Sequence, residues 1–212
     1  MINESGESIV KLSPGKAKGM NFVSWNYRMS QPKVAKGKTL AFGGLTGPRV
    51  MEGIYNVVIT KGKDIFSKSI NVISDPKTDL DSNEKMLKYD TTMKLYNLSE
   101  ELAYIVYTID EILSSDKFKK GIKNKLQTLK ESLVITTGDN YVGAAENELR
   151  EDLLDLYSKL ASSYDKPSQN DLANLSIVEN EFYNLKSEYD KIINKVDLSQ
   201  IELLSYSDFI KN

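Results

Sequence analysis

The distribution of glycine and proline constrains this chain most, because both residues become rare after a break near Pro76. Four of the five prolines and nine of the twelve glycines lie at or before that residue. Both residues punctuate turns, and long stretches without them favour helix. The charge changes at the same place, from 11 basic and 5 acidic residues over 1–75 (+6) to 17 and 25 over 76–212 (−8). We therefore predict two domains, residues 1–76 and 77–212.

The first part has the pattern of short antiparallel strands. The predicted strands cover residues 8–12, 19–27, 38–42, 53–60 and 64–73, and Gly62 lies in a hairpin turn between the last two. In the last strand Phe66, Lys68, Ile70 and Val72 share one face. Turn signals at this spacing predict a small β-sandwich, although five strands are fewer than the roughly seven that such a fold normally has.

The second part has apolar residues at helical steps of three and four. Helices are predicted at about residues 82–113, 117–136, 144–162 and 168–196, with a short helix around residues 201–204. Asp81 and Glu84 have the spacing of a capping box at the start of the first helix. Short loops between four such helices predict an antiparallel, up-down four-helix bundle, and therefore an α+β chain overall.

The chain contains no Cys and no His, which excludes disulfides, thiol nucleophiles, imidazole ligands and Ser-His-Asp catalysis. No apolar run is long enough to span a membrane, and the first residues lack the pattern of a signal peptide. The net charge of −2 gives no general attraction to nucleic acid. We predict no cofactor and no metal. Calcium binding at Asp79, Asp81 and Asn83 stays open, although Glu84 occupies the position where a calcium loop needs Gly.

Trp25 and Tyr27 are the candidate binding residues, because they lie two apart and so share one side of an extended segment. If exposed, their rings could stack on sugars. If buried, they would anchor the core, which is the commoner role of a lone Trp on a strand.

Four stretches together resemble the C-terminal region of bacterial sortilin-like, BNR-repeat β-propeller proteins, which are often labelled glycosyl hydrolases. These are residues 2–12, residues 18–28 around Trp25 and Arg28, residues 47–57 with Gly47, Pro48, Gly53 and Tyr55, and residues 73–77. The resemblance is weak in the helices. Glu52 replaces the usual Pro before Gly53, and the propeller itself is absent from the sequence.

The resemblance implies an Ig-like sandwich followed by a helical bundle. It also implies a bacterial protein that is periplasmic, displayed at the cell surface or secreted. Gly47, Pro48, Gly53 and Tyr55 would form a structural turn that Trp25 and Arg28 hold, with Arg28 pairing with Asp75 or Glu52. The family's first strand would precede Ile2, so the sandwich is expected to lack it and to leave an open edge for strand exchange, a homodimer or another partner.

These observations favour a non-enzymatic structural and interaction module that contacts a protein partner or an upstream propeller of the same protein. The candidate binding residues are Trp25, Tyr27 and Arg28, and no catalytic residues are assigned. The alternative is a carbohydrate-binding accessory region of a glycoside hydrolase. A hydrolase that works through carboxylates alone is a third and more distant possibility.

Overall fold

The structure is a computed structural model, and it describes residues 1–15, 17–38, 45–137 and 147–211. Its elements are two strands, β1 (Gly53–Lys61) and β2 (Asp64–Val72), followed by five α-helices. The helices are α1 (Ser82–Ser114), α2 (Lys120–Leu133), α3 (Leu149–Ser162), α4 (Gln169–Ile193) and α5 (Tyr206–Lys211), with one turn of 3-10 helix at Leu198–Gln200 between α4 and α5. The chain is therefore an α+β protein.

The sandwich prediction is wrong, because the described residues form one two-stranded antiparallel sheet, which is too small for two packed layers. Residues 8–12 and 19–27 are not strands. In the first stretch Ser8 forms an isolated bridge with Ile2, and the second stretch is followed by the isolated bridge of Arg28 with Arg49. Backbone with positive φ at Gly19 and Tyr27 marks the two ends of the second stretch. The predicted strand over 38–42 lies mostly outside the described residues.

The hairpin prediction is confirmed. β1 pairs with β2 in a continuous register from Gly53 with Val72 to Lys61 with Asp64. Gly62 lies in the turn at φ 61°, where a side chain would be strained. The local turn and the strand propensity of both segments account for this pairing without any distant contact.

The four long helices form close to their predicted positions. At the start of α1, Asp81 accepts a hydrogen bond from the Glu84 N–H (2.9 Å) and Glu84 accepts one from the Asp81 N–H (3.2 Å), which completes the predicted capping box. Ser168 and Asp171 form a second capping box at α4. The predicted tail helix at 201–204 is wrong, because Leu198–Gln200 and Tyr206–Lys211 are helical instead.

Helix α2 ends three residues earlier than predicted. Val134 and Ile135 are buried beyond the end of the helix, Val134 in extended backbone. The Ile135 carbonyl accepts a hydrogen bond from the Lys38 N–H at 2.7 Å. A contact with a distant segment therefore outweighs one further helical turn. The predicted start of the third helix at residue 144 lies outside the described residues, and α3 begins at Leu149.

Helices α1 to α4 share one apolar core, in which Leu95, Ile109, Leu126, Leu153 and Phe182 are at most 1% exposed. The predicted up-down four-helix bundle is nevertheless not clearly shown. Helix α1 has 33 residues against 14 each for α2 and α3, so it extends beyond both. Its remaining surface contacts α5 and other parts of the chain.

The N-terminal part contributes to the helical core through a short segment. Ala35 is buried in that core, and its carbonyl accepts a hydrogen bond from Arg150 Nη1 at 3.0 Å. The Tyr157 hydroxyl donates to the Thr46 carbonyl at 2.6 Å, and the Lys33 N–H faces Glu100 at 3.4 Å. These contacts bring the predicted turn after Thr46 against the end of α3.

Candidate functional site

The turn that begins at Gly47 lies beside the segment that carries Trp25. The Met29 N–H donates to the Pro48 carbonyl (2.8 Å), and the Val50 N–H donates to the Tyr27 carbonyl (2.9 Å). A β-carbon at Gly47 would collide with the carbonyl oxygen of Met29, so the close approach of the two backbones requires glycine there.

Trp25 is half-buried between two tyrosine rings. Its ring centroid lies 5.3 Å from that of Tyr27 and 5.5 Å from that of Tyr55, and its indole N–H donates to the Arg28 carbonyl at 2.8 Å. Tyr55 is buried and donates to the Met51 carbonyl at 2.8 Å. Tyr27 is 57% exposed. Trp25 therefore anchors the turn to the base of the hairpin, and Tyr27 offers the free ring.

Arg28 joins this turn to the helical part. Its Nη1 donates to the Gly47 carbonyl (2.8 Å) and to the Ala161 carbonyl (2.9 Å) in the last turn of α3. A cation there interacts favourably with the negative end of the helix dipole. The expected pairing of Arg28 with Asp75 or Glu52 is wrong, since Glu52 forms an ion pair with Lys85 at 3.0 Å instead.

Two further cations gather near the same helix end. The Arg49 guanidinium carbon lies 4.0 Å from the centroid of the Tyr164 ring, and Lys88 Nζ donates to the Ser163 carbonyl at 2.5 Å. Burial lowers the pKa values of both Arg28 and Lys88, and the charge of Arg49 lowers them further. In the described part of the chain, none of the three forms an ion pair with a carboxylate.

Arg49 and Lys88 line a cavity of about 850 Å³ between the turn, the residues after β2 and the first turns of α1. Three tyrosines, Tyr27, Tyr89 and Tyr164, supply aromatic surface. The charged side chains that line the cavity are Arg49, Lys77, Lys85, Lys88, Glu52, Asp75, Asp79 and Asp165. Glu52 is paired with Lys85, whereas Arg49 and Lys88 lie at Tyr164, where the charge of Asp165 acts on Lys88.

The two faces of the hairpin differ in character. One face carries the apolar side chains Tyr55, Val57, Ile59, Phe66, Ile70 and Val72, because antiparallel partners lie on the same side of the sheet. Trp25 covers its base at Tyr55, whereas Ile59 and Phe66 near the tip are 55% and 57% exposed. The other face is mixed, with the polar side chains of Asn56, Ser67, Ser69 and Asn71 beside the exposed apolar side chains of Ile54, Val58 and Ile65. An apolar surface therefore continues outward from the anchored base without a cover among the described residues.

The outer edge of β2 presents unpaired backbone groups. Asn56 exchanges both of its backbone hydrogen bonds with Ile2 (3.0 and 2.9 Å), so its N–H and C=O point away from β2. The alternation of an antiparallel ladder then directs the N–H and C=O groups of Ile65, Ser67, Ser69 and Asn71 away from β1. No described residue pairs with this edge.

The sequence interpretation found part of this arrangement. It placed Trp25 and Arg28 at a turn formed by Gly47, Pro48, Gly53 and Tyr55. In the structure the Trp25 ring packs on Tyr55, and Arg28 donates to the Gly47 carbonyl. The sequence interpretation missed Arg49, Lys88, Tyr89 and Tyr164. Arg49 lies in a loop, Lys88 and Tyr89 lie on α1, and Tyr164 follows α3. No periodicity or spacing in the sequence connects these three places, so their proximity could not be predicted.

Of the calcium candidates Asp79, Asp81 and Asn83, Asp81 caps helix α1, because its side chain accepts a hydrogen bond from the Glu84 N–H. Over the described ranges, no cluster of three or more acidic side chains has the arrangement to hold a metal ion. No helix in the described chain combines the length and apolar character needed to cross a membrane.

Comparison of the sequence with protein-family models and with curated proteins, and of the structure with solved structures, found no match.

Proposed function

We propose that this chain is a non-enzymatic interaction module that binds a protein partner through its β1–β2 hairpin. The observation that carries the proposal is the outer edge of β2, which no described residue pairs with, next to an apolar face that is exposed at Ile59 and Phe66. An extended segment of another protein would continue the sheet through main-chain hydrogen bonds and cover the apolar face with alternate side chains.

Charge complementarity defines the partner further. The hairpin carries Lys61, Lys63 and Lys68 against Asp64 as its one acidic residue. Lys68 lies on the apolar face opposite Val57. The partner segment that fits is an alternating apolar strand with acidic residues at its ends, which would also raise the association rate.

The resemblance to sortilin-like proteins supplies the setting of this proposal. In that setting the module belongs to an exported bacterial protein that is periplasmic, surface-displayed or secreted. No family model matches the chain, so the resemblance and the setting that it implies stay a hypothesis. The hairpin proposal does not depend on it, because that rests on exposed side chains and unpaired backbone groups.

Cross-linking in the producing cells tests the proposal directly. A photoreactive benzoylphenylalanine replaces Phe66 in one variant and Tyr183 of α4, which is 53% exposed, in the control. We expect a discrete adduct with one other protein at Phe66 and none of that size at Tyr183. The absence of a specific adduct at Phe66 would contradict the proposal. An adduct of twice the chain's own mass would show that the hairpin contacts a second copy of this chain and would contradict binding to another protein.

A proline at Ser67 separates edge pairing from mere proximity. The Ser67 N–H points away from β1, so Ser67→Pro removes an outer donor and leaves the hairpin's own ladder intact. We expect Ser67→Pro to abolish the Phe66 adduct, whereas Ser67→Ala, which keeps the N–H, should preserve it. An adduct that persists in Ser67→Pro would show that the partner does not use this edge.

Carbohydrate binding is the second candidate, and one observation favours it. Tyr27 is exposed at the cavity rim, where its ring could stack on a sugar. Trp25 is less suited to this role, because its ring packs on two tyrosines and its N–H is already bonded. Glycan binding that is lost in Tyr27→Ala but kept in Tyr183→Ala would support this function over protein binding.

A further inference from the structure

We infer that the cavity between the Gly47 turn and helix α1 binds a small organic oxyanion through Arg49. This site is separate from the hairpin edge and goes beyond the proposed partner binding. The ligand chemistry that fits is a carboxylate or phosphate attached to a ring or other flat apolar body.

The first argument is the concentration of positive charge. Arg28, Arg49 and Lys88 lie close enough for Arg49 to lower the pKa values of the other two. None of them has an ion-pair partner among the described residues. Asp165 offsets part of this charge at Lys88, but burial and Arg49 dominate. An anion in the cavity would relieve the repulsion between the cations.

The alternative explanation is that the cations only cap the end of α3, where a positive charge complements the last carbonyls. It accounts for Arg28, which donates to the Ala161 carbonyl, and for Lys88, which donates to the Ser163 carbonyl. It does not account for Arg49. The Nε atom of Arg49 is buried and has no hydrogen-bond partner in the described part of the chain.

The position of Arg49 suits a planar anion. The guanidinium carbon lies 4.0 Å from the centroid of the Tyr164 ring, and this cation–π contact restrains the orientation of the fork. A guanidinium fork can donate two parallel hydrogen bonds to a carboxylate or phosphate, and Lys88 supplies a second charge. A buried donor without a partner costs free energy, and a bound oxyanion would remove that cost.

The cavity also suits the body of such a ligand. Its volume of about 850 Å³ lies within the range of small-molecule sites. Tyr27, Tyr89 and Tyr164 contribute aromatic surface on which a ring can pack. Among the carboxylates of the lining, Glu52 is paired with Lys85, which reduces its repulsion of a bound anion.

The test is an NMR titration of the full chain with three defined probes. Benzoate and phenyl phosphate carry the two oxyanions on one ring, and benzyl alcohol is their neutral analogue. We expect the Arg49 Nε–H signal to shift with benzoate or phenyl phosphate and not with benzyl alcohol. The anion that binds with the higher affinity identifies the group that the site prefers. Added salt should weaken the binding.

Arg49→Gln should weaken binding of the preferred anion by at least about tenfold, as expected for loss of a charged hydrogen-bond donor. Arg49→Lys keeps the charge but loses the guanidinium fork, so its affinity for the anion should lie between those of the parent chain and of Arg49→Gln. Lys125→Gln, an equal charge change on an exposed residue of α2, should bind like the parent chain. The inference is overturned if neither anion shifts the Nε–H signal at tens of millimolar, if benzyl alcohol binds equally well, or if Arg49→Gln binds unchanged. The titration of the parent chain decides the matter even if Arg49→Gln fails to fold.

Discussion

The helical part and the N-terminal part of this chain differ in how their apolar residues are used. In the helical part, leucines and isoleucines at helical spacing converge on one core and are almost completely buried. Among the described residues before Asp81, the buried apolar side chains are Ala35 and Tyr55, together with Pro32 and Pro48. Met20, Phe22, Ile65 and Phe66 are each more than half exposed. Apolar content alone therefore does not make a core, because long-range neighbours must be present to cover it.

The largest expected effect comes from truncating matched phenylalanines in the two parts. Phe182 on α4 is 1% exposed and Phe66 on β2 is 57% exposed. Phe182→Ala should lower the free energy of unfolding by about 3–5 kcal/mol, because it leaves a cavity in a packed core. Phe66→Ala should cost less than about 1 kcal/mol. Urea denaturation followed by circular dichroism measures both, and equal losses would contradict the contrast drawn between the parts.

A smaller effect is expected at the junction between the parts. Arg28→Ala removes the guanidinium that bonds to the Gly47 and Ala161 carbonyls, and should cost about 1–2 kcal/mol because two acceptors lose a charged donor. Hydrogen exchange should also accelerate at residues 47–50 and leave the centre of α1 unaffected. Lys125→Ala, an exposed substitution within α2, is the control. Unchanged exchange at the turn would show that Arg28 does not hold it.

The smallest effect concerns Asp171, which stabilises the helical part alone. Its hydrogen bond from Lys159, and then those from Ser168, lower its pKa from 3.8 to about 2. A carboxyl whose pKa is depressed on folding stabilises the folded state above the unfolded pKa. That stability is lost as pH falls from about 4 toward about 2. Asp171→Asn should cost about 1 kcal/mol at neutral pH and make stability less dependent on pH in this window, since Lys159 is largely exposed.

Thermal unfolding at pH 7 and at pH 2.5 separates the contribution of Asp171 from general acid effects. Glu188→Gln, an exposed change in the C-terminal half of α4, should leave the pH dependence as it is in the parent chain. An unaltered pH dependence in Asp171→Asn would contradict the role assigned to the capping box.

Features that depend on neighbouring residues could be predicted from the sequence. The capping box at Asp81 and Glu84, the hairpin around Gly62 and the approximate spans of α1 to α4 all follow from spacing, caps and turn residues. The predictions failed where distant partners decide. Turn signals around residues 8–12 and 19–27 suggested strands, but a strand needs a paired neighbour, and these segments have only the isolated bridge at Ser8.

The candidate sites divide in the same way. The sequence placed Trp25 and Arg28 near the Gly47 turn through a resemblance, and the structure gives that proximity a physical basis in backbone hydrogen bonds and a position that admits only glycine. The cavity could not be predicted. Arg49 and Tyr164 meet because α3 returns the chain to the turn, and neither residue stands in a pattern that anticipates the contact.

The sequence by itself determined a Gly- and Pro-rich part, a helical part and the absence of Cys and His, because composition and local spacing act through nearest neighbours. Tertiary structure decided which apolar surfaces are covered and which charges are paired. It buried the stripes of α1 to α4 and left the tip of the hairpin open. It also gathered Arg28, Arg49 and Lys88 at the end of α3, since helix packing brings together residues that are far apart along the chain.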